Sequence, residues 1–153
     1  MKACFSLSTV KQVAKVEVRG WNVAEKKAIL GFSESVTAPF DGTTGPQMAG
    51  RAHYGDTAQG RVLTIVDHCV ADDTEAESIA KNVLDGLAMQ YTSADVEIQG
   101  RPSVSAGDVV EVKDFGKFYS GVYLVERAQH YYNPSGNLPY VTRLHLVRNA
   151  NPS

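Results

Sequence analysis

Only one stretch of this chain repeats its apolar residues at three-and-four spacing: Ala76, Ile79, Ala80, Val83, Leu84, Leu87, Ala88 and Tyr91. Wound at 3.6 residues per turn they share one face, which predicts a single amphipathic helix over residues 74–91. Asp72 and Asp73 stand where the positive end of that helix favours acid, and Thr74 with Glu77 has capping-box spacing. Residues 71–100 hold seven Asp/Glu against one Lys, so this acidic cluster has a structural reason to exist. Gly86 lies inside the helix at a cost of about 1 kcal/mol relative to Ala, which predicts a backbone or bulky side chain approaching there.

Around the helix the period drops to two. Val16 and Val18 alternate with charged residues in a strand over 14–21, and residues 27–32 return antiparallel after a short turn. Residues 1–10 read as a short strand, 61–70 as another, and 95–99 as one directly after the helix. Segments 108–113, 121–132 and 141–147 complete the set, the last two joined through the turn chemistry of Asn133, Pro134, Ser135 and Gly136. Many strands with local hairpins and one helix specify a mainly β (α+β) fold. The natural closure is an antiparallel β-barrel or split barrel with the helix packed across the sheet or a barrel opening. The expected organisation is one domain over residues 1–148 and a disordered tail over 149–153. Residues 37–60 interrupt the pattern with five glycines, two prolines and no Ile, Leu or Val. A connection of that length is mobile or functional, and Phe40, Met48 and Tyr54, its sizeable apolar groups, are candidate partner contacts.

At 153 residues the chain is the size of one ordinary domain. No apolar run approaches the roughly 18 residues of a spanning helix, so no membrane partner is expected. A net charge of −2 lacks the basic footprint of nucleic-acid binding. Two cysteines, Cys4 and Cys69, exclude a disulfide framework.

Catalytic chemistry is hard to assemble. Asp67, His68 and Cys69 are adjacent, but alternation along a strand would put His68 on the face opposite Cys69. A cysteine hydrolase would need His130 or His145 from another strand, and a small core role for the Cys is the better reading. Four scattered histidines and two distant cysteines lack metal-ligand spacing, so no metal is expected. Gly116-Lys117 lacks the rest of a phosphate loop, so no cofactor is expected either. The aromatics of the C-terminal region include Phe118, Tyr119 and Tyr132, which are candidate exposed stacking groups for sugars or bases; ordinary cross-strand sheet packing is the better-supported reading of such a set.

The C-terminal half carries an ordered motif: Gly100-Arg-Pro-Ser-Val-Ser-Ala-Gly107, then Asp108 to Lys113, then Phe115-Gly-Lys-Phe-Tyr-Ser-Gly121 running into Val125, then His130 and a final strand ending in Arg148. It resembles the bacteriophage late control D family, which supplies the tail baseplate hub and is similar to the N-terminal part of VgrG spike proteins of type VI secretion. Val16 to Trp21 with Lys26 to Gly31 resembles the opening hairpin of that family's second tube-like barrel, and Asp67 to Asp72 its strand-to-helix join.

The resemblance implies a structural, non-enzymatic component of a phage tail or phage-like contractile injection machine. In the family, subunits trimerise so that two barrels each form a pseudo-sixfold ring between tail tube and spike. The implied partners are other hub subunits in a homotrimer, tube and spike proteins. The implied location is the virion tail, assembled in the bacterial cytoplasm. Only the second barrel of the family is matched. The alternative is a carbohydrate- or peptidoglycan-binding β-barrel module.

Overall fold

The computed structural model describes residues 2–37, 40, 42–47, 60–66, 68–135 and 138–151. In chain order the elements are β1 (Lys2–Leu7), β2 (Lys15–Asn22), β3 (Lys27–Ser33), β4 (Thr43–Thr44), β5 (Val62–Ile65), α1 (Asp73–Met89), β6 (Thr92–Gln99), β7 (Val109–Val112), α2 (Gly116–Tyr119), β8 (Gly121–Tyr132), β9 (Tyr140–Arg148) and β10 (Ala150–Asn151). Five strands in the order β1-β6-β9-β8-β7, every neighbour antiparallel, make the main sheet. It curls into a half-barrel, and the mainly β expectation holds.

Alternation explains its core. Ala94 and Val96 of β6, Leu144 and Leu146 of β9, and Tyr123 and Val125 of β8 are buried together, with Ala3, Phe5, Val110 and Val112 packed against them. On β8 the inward residues change parity from Val125 to Ala128 because the register shifts between Val125 and Arg127. A bulge of one extra residue does this without breaking the strand. The two edges of the curl approach each other through rings. Phe5 of β1 lies 5.0 Å from Phe115, just beyond β7, and 4.9 Å from Tyr119 in a stacked geometry.

The second core lies between α1 and a three-stranded sheet ordered β3-β2-β5. Ala76, Ala80 and Leu84 bury against Val16, Val18 and Ile29. Helix and strand come so close that a Cβ on Gly31 would collide with the backbone of Ala76 and Glu77. Asp73 Oδ1 accepts the Leu30 amide at 3.0 Å, tying the first turn of α1 to the free edge of β3.

Several expectations need correction. The helix begins one residue earlier and ends at Met89, and its cap is Asp72: the Asp72 carboxylate accepts from the Glu75 amide at 2.8 Å, and Glu75 accepts from the Ala71 amide at 2.7 Å. Thr74 lies inside the first turn. Among the described residues nothing lies within 4 Å of the place a Cβ on Gly86 would take, so none of them makes the close approach predicted there. The strand expected over 61–70 ends at Ile65 and pairs parallel to β2. Residues 149–151, expected as disordered tail, are buried, and β10 pairs with β4. The long segment 37–60 is accordingly anchored at its start: Thr37 donates to Asp85 through its amide, Phe40 N–H donates to Asn149 Oδ1, and Gly45 N–H donates to the Asn149 carbonyl.

Candidate partner-contact surfaces

Two surfaces and one buried junction hold most of the residues of interest. The junction joins the two cores. Arg148, 2% exposed, donates through Nη1 to the Ser120 carbonyl at 3.1 Å and through Nη2 to the Phe118 carbonyl at 2.9 Å and to Asn151 Oδ1. Its guanidinium stacks 4.5 Å from the centre of the Tyr123 ring. Burial lowers the Arg148 pKa from the ordinary guanidinium value and raises those of Tyr91 and Tyr123. Thr92 Oγ1 donates to Asn151 Oδ1 at 3.0 Å, and Gln12 Nε2 reaches the Leu87 carbonyl at 2.7 Å. The cation is held by two backbone carbonyls, an amide oxygen and a ring, while its buried Nε has no hydrogen-bond partner among the described residues; with both Nη groups engaged within the chain it serves as a fastening.

The outward face of the main sheet forms an open groove of about 290 Å³ crossed by two rows of side chains. Lys2, Glu97, Arg143 and Gln129 make one row; Cys4, Asp95, His145 and Arg127 make the other. Arg143 Nε bonds Glu97 at 2.7 Å, and His145 Nδ1 lies 2.8 Å from Asp95 with its Nε2 3.5 Å from Glu126. These are cross-strand charge pairs of an exposed sheet face.

The hydrolase constellation does not form. Asp67 lies outside the described residues, while His68 and Cys69 are exposed beyond the end of β5. His130 Nδ1 meets the Tyr140 and Thr142 hydroxyls at 2.9 and 3.1 Å, and its Nε2 donates to the Val104 carbonyl at 3.2 Å. Both nitrogens of His145 face carboxylates, so neither ring addresses Cys69. Among the described residues no three His, Cys, Asp or Glu side chains are grouped as a metal ion requires. No helix among them is long and apolar enough to cross a membrane.

The candidate aromatics part company. Phe118 is 43% exposed, whereas Tyr119 is half-buried, stacked on Phe5 with Phe118 edge-on at 5.3 Å. Tyr132, 74% exposed, closes the other end of β8, roughly 35 Å away along an extended strand. They form no shared platform. Phe40 is half-buried against the C-terminal segment, and Met48 and Tyr54 lie outside the described residues.

The surface that sequence reasoning missed is the outer face of the three-stranded sheet. The central column Lys15, Glu17, Arg19 is ion-paired along β2, and Trp21 ends it. On either side stand exposed apolar residues, Leu30 and Phe32 on β3 and Val62 on β5, with Val66 just past its end. The signal was present: these residues occupy the parity opposite to Val16, Val18 and Ile29, and a strand buried on one face only would carry polar groups there.

No family model matches the sequence, and no curated protein matches it. Solved structures do. The 43 kDa tail protein of prophage MuSo2 from Shewanella oneidensis superposes with a TM-score of 0.66 at 13% identity, over 96% of this chain and 40% of that one. The tail protein from Neisseria meningitidis MC58 superposes with a TM-score of 0.62, also at 13% identity, over 96% of this chain and 39% of that one. Both tail proteins carry this chain's fold. The chain spans about two fifths of the length of each.

Proposed function

We propose that this chain is a structural domain of a phage tail or phage-like contractile injection machine, placed in the baseplate hub at the base of the spike. The observation that carries the reading is the match of nearly the whole chain to the fold found in two tail proteins. The resemblance of residues 100–125 to the late control D and VgrG-like motif favours the hub among the parts of a tail. The side-chain chemistry agrees in kind: the polar groups described above are spent on fastening and pairing. In this reading the domain works without cofactor or catalysis. Its partners are other hub subunits, forming a homotrimer in the full-length protein, and the proteins of the tube and spike. Its place is the virion tail, after assembly in the bacterial cytoplasm.

The test is made on particles. Purified tails from producing cells should contain the chain, and gold-labelled antibody against it should mark the end of the tail distal to the head. Label spread along the tube would overturn the hub placement, and absence from particles would overturn the tail reading.

A further inference from the structure

The hairpin that joins β2 to β3 ends in an apolar tip with a basic rim. Trp21 stands outward on β2, 59% exposed, and its cross-strand partner on that face is Ala28, too small to cover the indole. Val23, in the turn itself, is 79% exposed. The turn is built to hold these groups out: Asn22 Oδ1 accepts the Ala24 and Glu25 amides, each at 3.0 Å, and Lys26 takes the left-handed conformation, φ 51°, that leads the chain back into β3. Charge is divided along the same face. Lys15 and Arg19 are paired with Glu17 and Glu34 within the sheet, so the column behind the tip is neutralised. At the tip, Lys26 and Lys27 are exposed and pair with no carboxylate among the described residues, and Glu25 is the acid beside them.

We propose that this hairpin tip docks on an anionic lipid surface, Trp21 and Val23 entering the interfacial layer while Lys26 and Lys27 meet the headgroup phosphates. An indole, apolar in body with one N–H, settles at the boundary between hydrocarbon and headgroups, and lysines beside it are drawn to anionic lipid. A protein partner takes a tryptophan into a pocket ringed by further contacts. Here Trp21 and Val23 project from the end of a hairpin with the two lysines level with them, a shape that a flat surface meets tip first. Such a contact is peripheral and reversible and needs no spanning helix. It goes beyond the tail reading and does not depend on it.

Trp21 is the sole tryptophan of the chain, so its emission reports the contact directly. The full chain is titrated with vesicles of phosphatidylcholine, alone or mixed with phosphatidylglycerol. With the mixed vesicles the emission should shift to the blue, and lipids brominated in their acyl chains should quench it. Phosphatidylcholine alone should require about ten-fold more lipid for the same shift. Val23→Ser should raise the mixed lipid needed by roughly ten-fold. The double variant Lys26→Asn, Lys27→Gln should do so by a similar factor, roughly ten-fold, asparagine being a residue that accepts the left-handed position. Both variants change exposed side chains, and circular dichroism with urea midpoints certifies their folds. Emission unmoved by either vesicle overturns the proposal and leaves the tip to a protein partner. An equal response to the two vesicles overturns it, and so does wild-type binding by either variant. The particle labelling above tests the tail reading separately, since vesicle binding is read on the isolated chain.

Discussion

Arg148 brings a permanent charge into a site where no carboxylate among the described residues meets it, and four groups share the task of solvating it: two carbonyls, one amide oxygen and the Tyr123 ring. Removing it leaves the Ser120 and Phe118 carbonyls without donors, so Arg148→Ala should cost about 3 kcal/mol in urea unfolding. Arg148→Lys should recover little, since an ammonium cannot fork to two carbonyls and stack on a ring at once. Tyr123→Phe is a milder probe. It deletes one bond, from the hydroxyl to the Tyr119 carbonyl at 2.8 Å, and should cost about 1 kcal/mol. Acid sensitivity belongs to this scale too. The Arg143 guanidinium bonded to Glu97 holds that carboxyl below its ordinary value of 4.5, and Arg19 followed by Lys15 does the same for Glu17. A carboxylate whose pKa is depressed by folding contributes stability above its unfolded value and loses it as pH falls through the folded one. The urea midpoint should therefore decline below pH 4.5, and the double variant Glu17→Gln, Glu97→Gln should decline less steeply over that window.

At the scale of elements, α1 offers a controlled comparison between two glycines. Gly31 on β3 is pressed against the helix backbone, so Gly31→Ala must push β3 and α1 apart and should destabilise by roughly 3 kcal/mol. A Cβ on Gly86 of the helix would meet none of the described residues, so Gly86→Ala should stabilise by about 1 kcal/mol, read from the same unfolding curve. The helix was legible because eight apolar residues kept one period. Its cap was misplaced because Asp72 to Glu75 and Thr74 to Glu77 carry the same spacing, and only the chain direction at Asp72 decides between them. Strands β2, β3, β8 and β9 were legible for the same reason, each having a buried and an open face. The parallel pairing of β5 with β2 was not, since a parallel neighbour arrives from a distant segment and leaves no local turn to read.

For the molecule as a whole, the C-terminal residues act as a clasp. Asn149 holds Phe40 and Gly45, Ala150 is fully buried, Asn151 holds Thr92 and Arg148, and β10 pairs with β4. Ending the chain after Arg148 should release residues 40–47 from the junction. Hydrogen exchange at the Gly45 amide should then accelerate at least ten-fold while the β6 and β9 amides stay protected. Asparagines and a short two-residue strand resemble an ordinary polar terminus in sequence, which is why this clasp was unreadable. Arg148 did leave a trace, since it shares the parity of Thr142, Leu144 and Leu146 on β9 and so points to the buried side. For the candidate site, sequence alone named surface aromatics one by one, but only the folded register could show that Phe118 and Tyr132 cap opposite ends of one strand.

The ring contact that closes the half-barrel obeys different mechanics from the rest of the sheet. Hydrogen-bonded strands are locked in steps of whole residues, so the four junctions within β1-β6-β9-β8-β7 have fixed spacing. Phe5, Phe115 and Tyr119 have no register, and offset rings keep most of their attraction over a broad range of displacements. The closure therefore works as an expansion joint: along this line the half-barrel can change its girth without unzipping a ladder of the main sheet.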